Sequence, residues 1–180
     1  DVLDMELVQN SVYTDQLTGL RNQRFLMERL REELEKSGRY DYPVSCVILD
    51  VDTIQAQNEE SGSVEIDDLL PEIAMEIRSF TRSCDILARF DGTLFVAVLP
   101  HTDLSHAMEY GDKIMRDIDA TTFSDPKFPT KVAVSVGIVT VQQGHLQNCD
   151  LVFGETMKTL LQAKSKPRPN RINGITVAPE

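Results

Sequence analysis

The stretch Asp85–Leu99, DILARFDGTLFVAVL, constrains the fold more than any other part of the chain. Ile86, Ala88 and Phe90 alternate with Leu87 and Arg89, Asp91-Gly92 interrupts, and Leu94–Leu99 runs on almost wholly apolar. An Asp-Gly pair supplies the positive φ angles that a tight two-residue turn requires, so the pattern predicts a β-hairpin with its tip at Asp91–Gly92. A hairpin tip at a sheet edge can also turn backbone N–H groups toward a phosphate, although most such hairpins are plain scaffold.

The segments around the hairpin predict the rest of the architecture. Val2, Met5, Val8 and Val12 recur at helical intervals, as in the end of a linker helix arriving from an upstream domain and pairing with its copy in a homodimer. Tyr13–Asn22 is a polar joint, and Asn22 is placed to cap an amphipathic helix that runs to about Ser37 with Met27, Leu30 and Leu34 on one face. Pro43 opens a strand, VSCVILDVD, apolar on both faces and ending in Asp50 and Asp52; alternation puts these two carboxylates on the same side. They are either a hard-cation site or simply the point where the strand meets solvent. After a polar loop at Thr53–Ser63 comes a helix with Asp68 as its cap and Pro71 in its first turn, where a missing N–H does no harm. Beyond the hairpin, Thr102 or Asp103 caps a further helix, Lys131–Val141 is a strand, and Leu151–Lys164 is a helix capped by Asp150. Lys164–Arg171, KSKPRPNR, reads as a basic end segment. The order β-α-β-β-α-β, with an added N-terminal helix, is that of the split βαβ or ferredoxin-like fold: a mainly antiparallel sheet with helices mainly on one face.

Composition narrows the partners. Eighteen Lys and Arg against 29 Asp and Glu leave a formal charge of -11 in 180 residues, which argues against a nucleic-acid-coating surface but not against one small nucleotide held by local basic groups. The apolar runs are too short to span a bilayer, so any transmembrane or sensor domain is expected outside this segment. Cys46, Cys84 and Cys149 lack metal-ligand spacing and read as reduced thiols of a cytoplasmic protein.

Several stretches together resemble the GGDEF family, the diguanylate cyclases that condense two GTP into cyclic di-GMP. Asp15-Gln-Leu-Thr-Gly-Leu-Arg-Asn22 resembles the family's D-x-L-T-G-L-x-N opening. Asp50-Val-Asp52 with Asn58, Gly62 and Asp67 keeps the spacing D-x-D-x5-N-x3-G-x4-D, Ser135-Val-Gly137 resembles the S-x-G strand, and Ala163-Lys164 the A-K near the end. The resemblance covers Asp15 to Ile172, which implies a linker helix over 1–14, a nucleotidyl-cyclase-like domain over 15–172 and a tail over 173–180.

The family signature R-[YF]-G-G-[DE]-E-F is replaced by Arg89-Phe-Asp-Gly-Thr-Leu-Phe95. The resemblance places a metal-holding acid where Thr93 stands, a triphosphate-accommodating glycine where Asp91 stands and a further acid where Leu94 stands; only Gly92 and Phe95 remain. A neutral hydroxyl does not replace a charged metal ligand, and an aspartate at a phosphate-cradling turn repels a polyanion. Gln55, Glu59 and Ser63 also depart from the family pattern. These changes predict a domain that is not a cyclase. No cofactor is then required, and Mg²⁺, held through Asp50 and less directly Asp52, would accompany GTP only.

The same resemblance assigns Asn58 and Asp67 to guanine reading, and Lys164 with Arg168 to phosphate binding, as vestiges of a GTP site; read without it, Asn58 is a loop cap and Asp67 a helix-start charge. Arg82-Ser-Cys-Asp85 matches the family's R-x-x-D inhibitory site for cyclic di-GMP, with Lys113 where a further arginine is usual. A guanidinium can read the guanine O6 and N7 edge, and a carboxylate can accept from its N1 and N2 donors. Read without the resemblance, Arg82 and Asp85 are a helix-end ion pair. The leading expectation is a cyclic di-GMP receptor module; the alternatives are a dimerisation or protein-contact module without nucleotide, and weak GTP binding with residual cyclase activity.

Overall fold

The computed structural model describes residues 1–54, 66–125, 128–142 and 148–177. In chain order its elements are α1 (Val2–Tyr13), α2 (Gln23–Tyr40), β1 (Val44–Ile54), α3 (Ile66–Ser79), β2 (Ile86–Asp91), β3 (Leu94–Pro100), α4 (Leu104–Ala120), β4 (Thr122–Asp125), β5 (Phe128–Val141), α5 (Cys149–Lys164) and β6 (Ile172–Val177). The sheet runs β2-β3-β1-β5-β4, antiparallel throughout, and β6 adds in parallel to β5 along Val136–Val141. The expected ferredoxin-like order is therefore present at its centre.

The double-sided apolarity of β1 explains the layering. Val47, Leu49 and Val51 face a core completed by Leu70, Ile73 and Ile77 of α3 and by Ile114 and Ile118 of α4. Val44, Cys46 and Ile48 face a second core with Leu26, Leu30 and Leu34 of α2 and Val152 and Leu160 of α5. Helices thus cover both faces, two on each, which corrects the expectation of helices mainly on one face. A central strand apolar on both sides leaves roughly 1.5–3 kcal/mol per large side chain unrealised unless both faces are buried.

Several local expectations shift. Asn22 caps α2 by accepting from Phe25 N–H, and Asp103 caps α4 by accepting from His106 N–H. The helix α2 runs on to Tyr40, because Asp41 turns left-handed (φ 57°) and its N–H returns to Ser37 O. Asp68 is not a cap: α3 already includes Ile66, so Pro71 lies within the helix. Asn148, not Asp150, caps α5, its side chain accepting from Asp150 N–H. Residues 172–177, expected at the domain end and in the tail, form β6, where Ile172 and Ile175 pack against the two cores. No helix among the described residues is long and apolar enough to cross a membrane.

The hairpin forms, with its tip one residue later than expected. Asp91 pairs with Leu94, leaving Gly92 and Thr93 as the turn, and an irregularity between Arg89 and Asp91 absorbs the extra residue. Gly92 occupies the first turn position at φ 49°, a conformation that glycine adopts without steric cost.

Candidate functional site

Asp50 and Asp52 lie on one side of β1 near its end, as alternation requires, and register sets Asp50 between Leu94 of β3 and Ser135 of β5. Asp50 is buried at 7% exposure. Thr93 donates its hydroxyl hydrogen to Asp50 Oδ1 at 2.6 Å, and Lys164 Nζ donates to Asp50 Oδ2. Arg168 Nη2 donates to Asp52 Oδ2 at 3.2 Å. The residues expected for metal and for phosphate are therefore brought together, each carboxylate facing a cation of the same chain.

Glycine makes this convergence possible. A Cβ on Gly137 of β5 would lie 2.4 Å from the Leu160 backbone nitrogen and 2.7 Å from its Cα, so only glycine lets α5 descend onto the sheet here. Lys164, in the last turn of α5, is thereby delivered to Asp50.

The donor set does not fit a divalent cation. Both Asp50 oxygens are engaged by protein donors, Asp52 is paired with Arg168, and Thr93 contributes no charge. Among the described residues no group of three or more His, Cys, Asp or Glu is arranged to hold a metal. Mg²⁺ needs near-octahedral oxygen ligation, and these carboxylates are already neutralised. Leu94 packs against the second core, as do Phe90 and Phe153, whose rings stack with centroids 4.6 Å apart, and Phe95 is wholly buried in the first. Asp91 is exposed, as is Asp67 in the first turn of α3; Asn58 and the loop around it lie outside the described residues.

Arg89 locks the hairpin to the polar joint. Its Nη1 donates to Asp15 Oδ1 at 3.0 Å and its Nε to Gly92 O at 3.0 Å, while its backbone N–H donates to Arg21 O. Partial burial pushes the Asp15 carboxyl up, but hydrogen bonds from the Thr18 side chain and backbone and the Arg89 guanidinium outweigh it and hold the group below the usual carboxylate range.

The second constellation lies beyond the other end of the hairpin. Arg82, between α3 and β2, donates through Nε to Asp85 Oδ2 (3.1 Å) and through Nη2 to Asp85 Oδ1 (2.8 Å), Thr102 Oγ1 (2.9 Å) and Pro100 O (3.2 Å). Asp85 also accepts from Arg82 N–H at 2.9 Å, and its side chain is only 2% exposed. The hydrogen bond to Asp85 raises the Arg82 pKa further. Arg82 itself keeps 54% of its side chain open, over a cavity of about 350 Å³ that Lys113 of α4 also lines. The three expected residues thus meet at one cavity. Asp85, for which the sequence suggested a direct contact with guanine, accepts from Arg82 through both carboxylate oxygens and so orients the guanidinium.

Three further lining residues escaped the sequence reading. Thr102 accepts from Arg82 and donates to Pro100 O, which fixes the guanidinium plane. Tyr110 exchanges a hydrogen bond with Thr81 at 2.8 Å, and burial pushes its pKa well up. His106 faces the mouth and lies 2.6 Å from Asp103 through Nδ1. Thr102 was visible only as a capping candidate and Tyr110 and His106 carried no motif; the helical interval linking His106, Tyr110 and Lys113 was the available signal.

The family model described as "Diguanylate cyclase, GGDEF domain" matches residues 12–170. A curated relative, diguanylate cyclase DgcP of Pseudomonas aeruginosa, is 32% identical over 164 residues, covering 91% of this chain and 24% of the relative. The chain thus spans about a quarter of that protein. Among solved structures, diguanylate cyclase SiaD of Pseudomonas aeruginosa, in complex with its activator SiaC, superposes with a TM-score of 0.79 at 28% identity, covering 98% of this chain and 66% of that one. The coiled coil and GGDEF domain of DgcB from Caulobacter crescentus, in complex with c-di-GMP, has a TM-score of 0.83 at 19% identity, with 96% and 90% covered. At that identity the likeness shows the fold alone.

Proposed function

The chain belongs to the GGDEF family of diguanylate cyclases, and on that premise we propose that this domain binds cyclic di-GMP at the Arg82 cavity and does not condense GTP. The observation that carries the reading is the Arg82 guanidinium, held by Asp85, Thr102 and Pro100 O yet more than half open above a cavity that Lys113 shares. An oriented fork pre-organises recognition of guanine's O6 and N7 edge, and a second cation across the cavity suits a phosphodiester. Lys113, salt-bridged to Glu109 at 3.2 Å, supplies charge without a planar fork.

The inactive half of the reading rests on Asp50. Cyclisation requires a cation at the leaving pyrophosphate and an activated 3′-oxygen, and here the carboxylates that would hold the cation are paired with Lys164 and Arg168, while Thr93 adds only a neutral hydroxyl. Asp91 adds a negative charge at the turn. A ligand-dependent change at Arg82 would reach neighbouring domains through α1.

Calorimetric titration with cyclic di-GMP, alongside Arg82→Ala, tests the binding half. Saturable binding weakened at least about tenfold in the variant is expected, given the loss of a charge-assisted, bidentate group. Absence of binding, or binding indifferent to Arg82, overturns it. Incubation with GTP and Mg²⁺ tests the other half: cyclic di-GMP formed, and lost in Asp50→Ala, would show a working cyclase.

A second reading is favoured by α1, where Val2, Leu3, Met5 and Leu7 are each 65–71% exposed. Such a surface supports self-association of the domain through this helix. Sedimentation at rising concentration, with Leu3→Glu/Leu7→Glu as comparison, distinguishes a dimer through α1 from a monomer.

A further inference from the structure

The charges lining the Arg82 cavity cancel in pairs. Asp85 is bound by Arg82, and Glu109 by Lys113. Tyr110, buried and pushed well above its ordinary range, stays neutral. What remains is His101 and His106, two of the chain's three histidines, and imidazole is the side chain whose ordinary range falls between about pH 5 and 8. Beyond the paired cations Arg82 and Lys113, the lining groups of variable charge are therefore these two imidazoles, His106 in turn paired with Asp103.

They are not equivalent. His101 stacks on Tyr42, with ring centroids 3.8 Å apart at 25°. His106 is tied through Nδ1 to Asp103 Oδ1 at 2.6 Å, and its backbone N–H donates to the same oxygen at 2.9 Å. Those two hydrogen bonds hold the Asp103 carboxyl below its usual range, so it is ionised and accepts only. Nδ1 must then carry the proton, and Nε2 of the neutral ring is left with a lone pair. Protonation converts Nε2 into a donor and reverses what His106 offers to a phosphate oxygen.

Resting on the cyclic di-GMP reading of this cavity, we propose that His106 is a proton-gated phosphate contact, so that the domain binds the dinucleotide more tightly as pH falls from 8 to 6. Arg82 selects the guanine and remains charged throughout; His106 adjusts affinity. A phosphodiester beside the imidazolium in turn favours its protonated form, so binding takes up a proton.

Calorimetry with cyclic di-GMP at about pH 6 and about pH 8, in two buffers of different ionisation enthalpy, reads both affinity and proton uptake. Affinity at the lower pH is expected to exceed that at the higher by roughly five-fold, with a fraction of a proton taken up on binding. In His106→Gln the profile becomes flat and the uptake disappears, while His101→Asn keeps the slope. A wild-type profile without slope, a slope retained in His106→Gln, or a slope abolished only in the His101 variant overturns the role of His106 and leaves the receptor reading standing. No binding at either pH overturns both.

Discussion

Thr93 donates its hydroxyl hydrogen to Asp50 Oδ1 at 2.6 Å, joining the tip of the hairpin to the end of the central strand. In a cyclase of this family an acid would stand at that position and share a cation with the strand carboxylate. Thr93→Glu should therefore restore a carboxylate pair and, with it, a need for metal. Without Mg²⁺ the variant is expected to lose about 1 kcal/mol, a fall of roughly 2–4 °C in Tm for a chain of this size. Millimolar Mg²⁺ should recover the loss in the variant and leave the wild-type Tm unmoved, since only the variant offers the ion a charged ligand set. Thermal melts with and without Mg²⁺ check this, and a wild-type Tm that rises with Mg²⁺ would show the native carboxylates to be available.

Lys164 is the other half of the Asp50 arrangement. Its removal in Lys164→Met leaves a buried carboxylate with one neutral donor, at an expected cost of about 2–3 kcal/mol, below the range for fully buried pairs because Lys164 is 32% exposed. Adding Asp50→Asn should return part of it, since the uncompensated charge is then gone. Urea denaturation of the two single variants and the double variant measures the coupling.

The sequence carried the architecture where its signals were redundant. The double-sided apolar run of β1, the Asp-Gly break and the Asn22 cap each acted locally, and the tertiary fold agreed with them. Other features depended on neighbours. β4 has four residues, and β6 is interrupted by Asn173, Gly174 and Thr176; both exist because β5 offers an unpaired edge, which no local pattern reports. Pro71 looked like a first-turn residue, but α3 begins earlier. At the candidate site, residue spacing and family resemblance singled out Arg82, Asp85 and Lys113, which line one cavity. The burial of Asp85 against Arg82 and the bond from Arg82 to Thr102 were beyond reach, because both depend on how the β3–α4 turn meets the segment after α3.

Asp15 links the polar joint to the hairpin, and its depressed pKa has a definite pH consequence. The unfolded chain binds the proton more readily, so this carboxylate stabilises the fold above the ordinary carboxyl range near 4, and the contribution is lost as pH falls through the lower folded-state value. Asp15→Asn is expected to cost about 1–2 kcal/mol at neutral pH, where charge-assisted bonds to Arg89 and Thr18 are lost, and much less under acid conditions. Urea midpoints measured at about pH 7 and about pH 3 should converge for the two proteins.

The thiols offer a probe next to the proposed Arg82 site. Cys46 and Cys149 are buried, and burial pushes Cys46 up to about 12 and Cys149 upward as well. Cys84 is exposed, with Sγ 3.9 Å from Asp85 Oδ1. A chromogenic disulfide reagent at neutral pH should titrate one thiol in the folded protein and three after denaturation, and saturating cyclic di-GMP should slow the fast one. Equal rates with and without ligand would show that the ligand does not cover Cys84.

The most direct test of the account maps the ligand onto the fold. Amide chemical-shift perturbation on adding cyclic di-GMP to the isotope-labelled chain should centre on Arg82, Thr102, His106 and Lys113, and leave Asp50, Thr93 and Lys164 unchanged. Perturbations centred on Asp50 and the Gly92 turn, or none at saturating ligand, would contradict a receptor built on the Arg82 cavity.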